Sequence, residues 1–125
     1  MAFVLKQSAT YTWPVPLFIP VDGGRREKHS FDAEFKRLPQ TRIDEIIKLA
    51  RAVELGRSDE TEELSQVPRE ILVGWSGITD DDGKEVPFSE SALNQLLQIP
   101  TIPGQIVQAW FESMAVAKKP TSRGL

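Results

Sequence analysis

The chain has 125 residues, enough for one domain with one core, and its 40% hydrophobic and 26% charged residues are the composition of a folded globular domain. A net charge of −3 argues against a nucleic-acid partner, since phosphate binding needs clustered Lys and Arg, and no apolar run approaches the roughly 20 residues that span a bilayer. The absence of cysteine excludes disulfides, thiolate metal sites and cysteine nucleophiles, and fits a reducing cytoplasm.

Lys6 is followed by Gln7, Ser8, Thr10 and Thr12, which interrupt any apolar leader, so no secretory signal is expected. Ala2 to Leu5 reads as a short strand. Val15, Leu17, Ile19 and Val21 then alternate with Pro14, Pro16, Phe18 and Pro20, the period of a strand whose prolines all occupy even positions. Their missing N–H groups all belong to one side of the strand, which suits an edge and forbids a central place. Asp22, Gly23 and Gly24 tolerate positive φ, and Phe31, Ala33 and Phe35 resume the alternation. The spacing predicts a hairpin over roughly Pro14 to Leu38, with the basic cluster Arg25, Arg26 and Lys28 at a solvated tip.

Pro39 ends that region, and Thr41 is placed to cap a helix in which Ile43, Ile46, Ile47, Ala50 and Val53 recur at helical spacing until Gly56 stops it. Arg57 to Glu63 reads as a charged connection. Glu62 to Val73 admits two readings: Pro68 can open a helical turn, while Ile71, Leu72 and Val73 would equally make a short buried strand; helix is the preferred one. Pro103 opens the last helix, whose stripe of Ile106, Val107, Trp110, Phe111, Met114 and Ala117 is opposed by Gln105, Gln108 and Glu112. Pro120 to Leu125 reads as a disordered tail, leaving one domain over residues 1–119.

Between these elements Gly74 to Leu97 is the most detailed stretch: Trp75 as an apolar anchor, Asp80 to Gly83 as a reversal, and Ser89 as the N-cap of a helix carrying Leu93, Leu96 and Leu97. The acidic turn invites calcium. With Gly83 in the glycine position of an EF-hand loop, Asp80 and Asp82 fill two ligand positions, but the first position would be Ile78 and the last Ser89, so no metal is expected. His29 is the only histidine and stands near the hairpin tip, which excludes two-histidine metal sites and leaves any Ser-His catalysis to that one ring. Gly23-Gly24 and Gly74-x-x-Gly77 lack the lysine of a phosphate loop and the third glycine of a dinucleotide fingerprint. Neither catalytic residues nor a cofactor is expected.

The order Gly74-Trp75, Asp80 to Gly83, Pro87-Phe88-Ser89, Leu93, Leu96-Leu97, Pro100 to Gly104 and Lys118-Lys119 resembles the phage tail assembly chaperones, small proteins made while a long phage tail is built. The resemblance implies a non-catalytic binding protein, several copies of which coat the helical tape measure protein in the host cytoplasm. It implies further that they help recruit tail tube subunits and are absent from the finished virion. Self-association into multimers is compatible with it. Many such proteins exist in two lengths through ribosomal frameshifting, and Lys118-Lys119 is a pair that a slippery sequence would encode. A wide apolar stripe on the last helix offers the partner contact, expected at Trp110, Phe111 and Met114. Gly74, Trp75, Asp80, Asp82, Gly83 and Ser89 are the structural signature. Two other classes stay open: a structural tail subunit (tube, terminator or completion protein) retained in the virion, and a small hydrolase using His29. The expected fold is α+β, an N-terminal hairpin or small antiparallel sheet packed with a mainly helical C-terminal part.

Overall fold

A computed structural model describes residues 2–56 and 61–115. Strands β1 (Thr10–Val21) and β2 (Arg25–Lys36) form a hairpin in register from Thr10 opposite Lys36 to Val21 opposite Arg25. The reversal uses Gly23 and Gly24, both at positive φ. A third strand, β3 (Leu72–Ser76), pairs antiparallel with β2, so the order is β1-β2-β3 and the proline-bearing strand is an edge, as its even-position prolines predict. With the helices that follow, the chain is α+β.

The free edge of β1 is closed by more than prolines. At Phe18, the one non-proline among the outward positions from Pro14 to Pro20, the backbone N–H donates to Gln105 Oε1 at 2.8 Å. Gln105 Nε2 donates back to the Phe18 carbonyl at 3.0 Å and to Thr101 Oγ1 at 3.0 Å. One side-chain amide thus stands where a neighbouring strand would pair. Ala2 to Leu5 forms no strand, a correction to the sequence reading: Phe3, Val4 and Leu5 are exposed, and the β1 edge lacks the donors to accept them.

Helix α1 (Gln40–Glu54) starts two residues earlier than a Thr41 cap requires. Pro39 occupies the N-cap position without a side-chain bond, its carbonyl accepts from the amides of Arg42 and Ile43, and Thr41 lies inside the helix. A proline cannot continue a helix backwards but fits its start, and that outweighs the hydroxyl. Gly56, at φ 89°, ends it. Of the expected Arg57–Glu63 connection, residues 57–60 lie outside the described residues, and the remainder belongs to α2 (Thr61–Ser65). Both readings of Glu62 to Val73 are realised in part: α3 (Val67–Ile71) has Pro68 in its first turn, and β3 starts at Leu72. Helix alone is therefore incorrect there, because the sheet supplies hydrogen bonds that propensity does not foresee.

Helix α4 (Glu90–Leu97) is capped by Ser89, whose Oγ accepts from the Ala92 amide at 3.0 Å. Helix α5 (Ile102–Met114) begins after Thr101, the one described non-glycine residue at positive φ (70°), and runs beside β1. The core joins Val15 and Leu17 of β1, Phe31, Ala33 and Phe35 of β2, Ile46 of α1, Ile71 and Leu72, Leu93 and Leu96 of α4, and Ile102, Ile106, Ala109 and Trp110 of α5. Arg42 ties α1 to α3: Nε and Nη2 grip both oxygens of Glu70 at 2.9 and 2.8 Å, while Nη1 reaches Glu45 at 2.9 Å. The hydrogen-bonding guanidinium holds the Glu70 carboxyl below its ordinary value, against the opposing effect of partial burial. Among the described residues no helix is long and apolar enough to cross a membrane.

Candidate functional site

The stretch from Gly74 to Ser89 folds as a buttress on the third strand. A bulge between Glu34 and Phe35 shifts the pairing from Glu34 opposite Gly74 to Phe35 opposite Leu72, leaving Val73 as the extra residue. In a regular strand Leu72 and Trp75, three apart, would face opposite sides. The bulge lets both pack on the core. Gly74 is a glycine because a Cβ there would run into the Glu34 carboxylate and approach the Glu34 Cβ at 3.2 Å. Glu34 is held in that place by Thr10, whose Oγ1 donates to Oε2 at 2.8 Å.

Trp75 lies edge-on to Phe31 and Phe88, at ring separations of 6.4 and 4.9 Å, and its Nε1–H donates to the Val86 carbonyl at 2.8 Å. Between Ile78 and Val86 the chain doubles back, with Val86 N donating to Ile78 O at 2.7 Å and Asp80 N to Lys84 O at 2.9 Å. Asp80 Oδ1 accepts from the amides of Asp82 and Lys84 at 2.9 and 3.0 Å, and Gly83, at φ 80°, closes the reversal. The signature is thus one tryptophan-anchored hairpin leading to a capped helix. The carboxylates of Asp80, Asp81 and Asp82 come within 4.8 Å of one another at exposed positions. His29 stands on the exposed part of β2, its Nε2 3.3 Å from a Glu27 carboxylate oxygen.

The three expected partner-contact residues do not stay together. Trp110 is 1% exposed and belongs to the core, which corrects its assignment to a free edge. Phe111 and Met114 are half-buried against the core, and only Met114 joins Trp110 in lining a groove. That groove, about 650 Å³, lies where the start of β1, the end of β2, the start of α1 and the end of α5 converge. Its apolar lining is Tyr11, Trp13, Leu38, Ile43, Trp110 and Met114, and Trp13 is 37% exposed. Ser113 Oγ donates to the Trp110 carbonyl at 2.6 Å, so the Tyr11 hydroxyl, 2.7 Å from that oxygen, donates to it and joins the two walls. Arg37 stacks over the Tyr11 ring at 4.9 Å, and with Lys36 it supplies the charged groups of the lining. A second open groove, about 750 Å³, runs between Pro16, Phe18 and Pro20 of β1 and Gln105, Gln108 and Glu112 of α5.

Tyr11 and Trp13 were missed by reading the hairpin from Pro14, although they continue its odd-position alternation towards Thr10. Across the sheet Trp13 pairs with Ala33, which pairs with Trp75, and the buried alanine separates the two indoles. Lys36, Arg37 and Leu38 carry no local signal and Ile43 signals only a helix face, since they meet Met114 only through the fold. Lys118-Lys119, Ala117 and the expected tail from Pro120 lie outside the described residues.

No curated protein and no solved structure matches this chain. The profile of the YdaY prophage protein family matches residues 32–121, from the middle of β2 through the whole of α5, and on that match the chain belongs to the YdaY prophage protein family.

Proposed function

We propose that this prophage protein is a tail assembly chaperone, a non-catalytic binding protein that keeps the tape measure protein soluble and helps recruit tail tube subunits in the host cytoplasm. The observation that carries the reading is the aromatic groove at the end of α5, where Met114 and the exposed Trp13 lie beside Tyr11, Leu38 and Ile43. A groove of this lining suits the apolar face of a helix, the kind of surface a long helical protein exposes before it is encased. The tryptophan-anchored hairpin and capped α4 support it as the arrangement that orients the last two helices. Phe111 moves from the contact itself to its support.

Replacing Trp13 and Met114 together by serine is expected to abolish solubilisation of the co-expressed tape measure protein while the thermal unfolding transition stays cooperative. Full solubilisation by a folded double variant would refute the assignment. The long β1–β2 hairpin, which runs on past its pairing with β3, favours a second reading, a structural tail subunit retained in the virion. Mass spectrometry of purified particles separates the two: a chaperone is absent, a subunit is present.

A further inference from the structure

We infer that the α5 groove selects its occupant by charge as well as by shape: it takes an amphipathic helix whose apolar face is flanked by carboxylates. The inference rests on the chaperone reading for the identity of the natural partner, the tape measure protein, but its chemistry comes from the groove alone. The chain is acidic overall, with a net charge of −3. The charged side chains of this lining are nonetheless both cations, Lys36 and Arg37, at consecutive positions where β2 ends. They are exposed at the rim of a lining otherwise made of Tyr11, Trp13, Leu38, Ile43, Trp110, Met114 and neutral polar side chains.

Arg37 is held in place by stacking over Tyr11 and by its backbone N–H, which donates to the Ala9 carbonyl at 3.0 Å. A guanidinium stacked beside an apolar floor loses little freedom when it meets a carboxylate. The other large groove shows no such bias, because its lining sets Arg26 against Glu112. A helix entering the α5 groove with leucine-type anchors at i, i+3 and i+7 would bring its flanking positions over the cationic rim. Carboxylates there are attracted and ammonium groups repelled.

The test uses two synthetic helical peptides of roughly 20 residues, long enough to hold a helix, with identical leucine faces and either glutamate or lysine on the flanks. Binding to the full chain is read by fluorescence anisotropy of the labelled peptide at low and high salt. The glutamate peptide is expected to bind about fivefold to tenfold more tightly at low salt, the difference shrinking as salt rises. K36E/R37E should reverse the preference, and K36A/R37A should erase it without reversing it; both positions are exposed, so the fold is retained. Equal binding of the two peptides, binding of neither, or a preference untouched by K36E/R37E overturns the inference. Because no tape measure protein is present, a reversed preference combined with failure to solubilise that protein would remove the chaperone reading and leave the groove's charge selection standing.

Discussion

Gly74 shows how one residue can be required by a side chain distant in sequence. Its backbone needs no left-handed conformation; what it needs is the absence of a Cβ beneath Glu34. Gly74→Ala is expected to lower stability by about 1–3 kcal/mol, measured by chemical denaturation, because the added carbon must displace either the Glu34 carboxylate or the strand. Glu34→Ala in the same background should recover part of that loss, since it removes the carboxylate but leaves a Cβ at a tight 3.2 Å. No recovery would mean that the glycine serves the bulge rather than the approach. The Gly-Trp pair was legible in the sequence as a marker, whereas its cause was not, because β3 meets β2 only after the bulge sets the register. Trp110 teaches the converse. An aromatic on a broad helical stripe is ambiguous between core and surface until the neighbours of that helix are known, and here Trp110 is part of the buried core.

At the scale of elements, the edge character of β1 was readable from proline parity alone. The clasp that completes it was not, since Gln105 stood on what the periodicity marked as the polar side of α5. Gln105→Leu keeps the stem and loses all three hydrogen bonds, so a stability loss of about 1–2 kcal/mol is expected. Hydrogen exchange at the Phe18 amide should accelerate by more than that of its neighbours. Exchange at the wild-type rate would show that the clasp does not hold in solution. Thr101 takes part in the same arrangement: its unusual φ of 70° places Oγ1 where Gln105 can donate to it. The start of α1 and the onset of β3 were the poorly legible boundaries. Pro39 displaced the Thr41 cap, and sheet pairing claimed Leu72 and Val73 from a segment whose apolar run fits helix and strand equally.

For the molecule as a whole, the Arg42–Glu70 pair makes a contribution to stability that depends on acid pH. Glu70 has a lowered pKa in the fold, so its contribution is fully present above the ordinary carboxylate value of 4.5 and is lost as pH falls through the lowered one. With the two side chains 37% and 30% exposed, the contribution is no more than about 1 kcal/mol. Glu70→Gln should therefore flatten the decline of the denaturation midpoint below pH 4.5, and an unchanged slope would assign the acid loss to other carboxylates. The α+β class and the helix faces were legible because they rest on local periodicity. The groove was not, because it joins residues from both ends of the chain, and only Trp110 and Met114 among its lining were expected at a partner contact.

The closed edge of β1 has a consequence wherever copies of this chain are brought close together, as the proposed chaperone role would require. Neighbours held side by side usually risk fusing through their sheets, and that risk grows with local concentration. A strand arriving at β1 between Pro14 and Pro20 would find carbonyls but no amide at the three prolines, and at Phe18 an amide already engaged by Gln105. Crowding therefore cannot ripen into a continuous ribbon along this side. Copies brought side by side in the proposed role would remain separable along this edge.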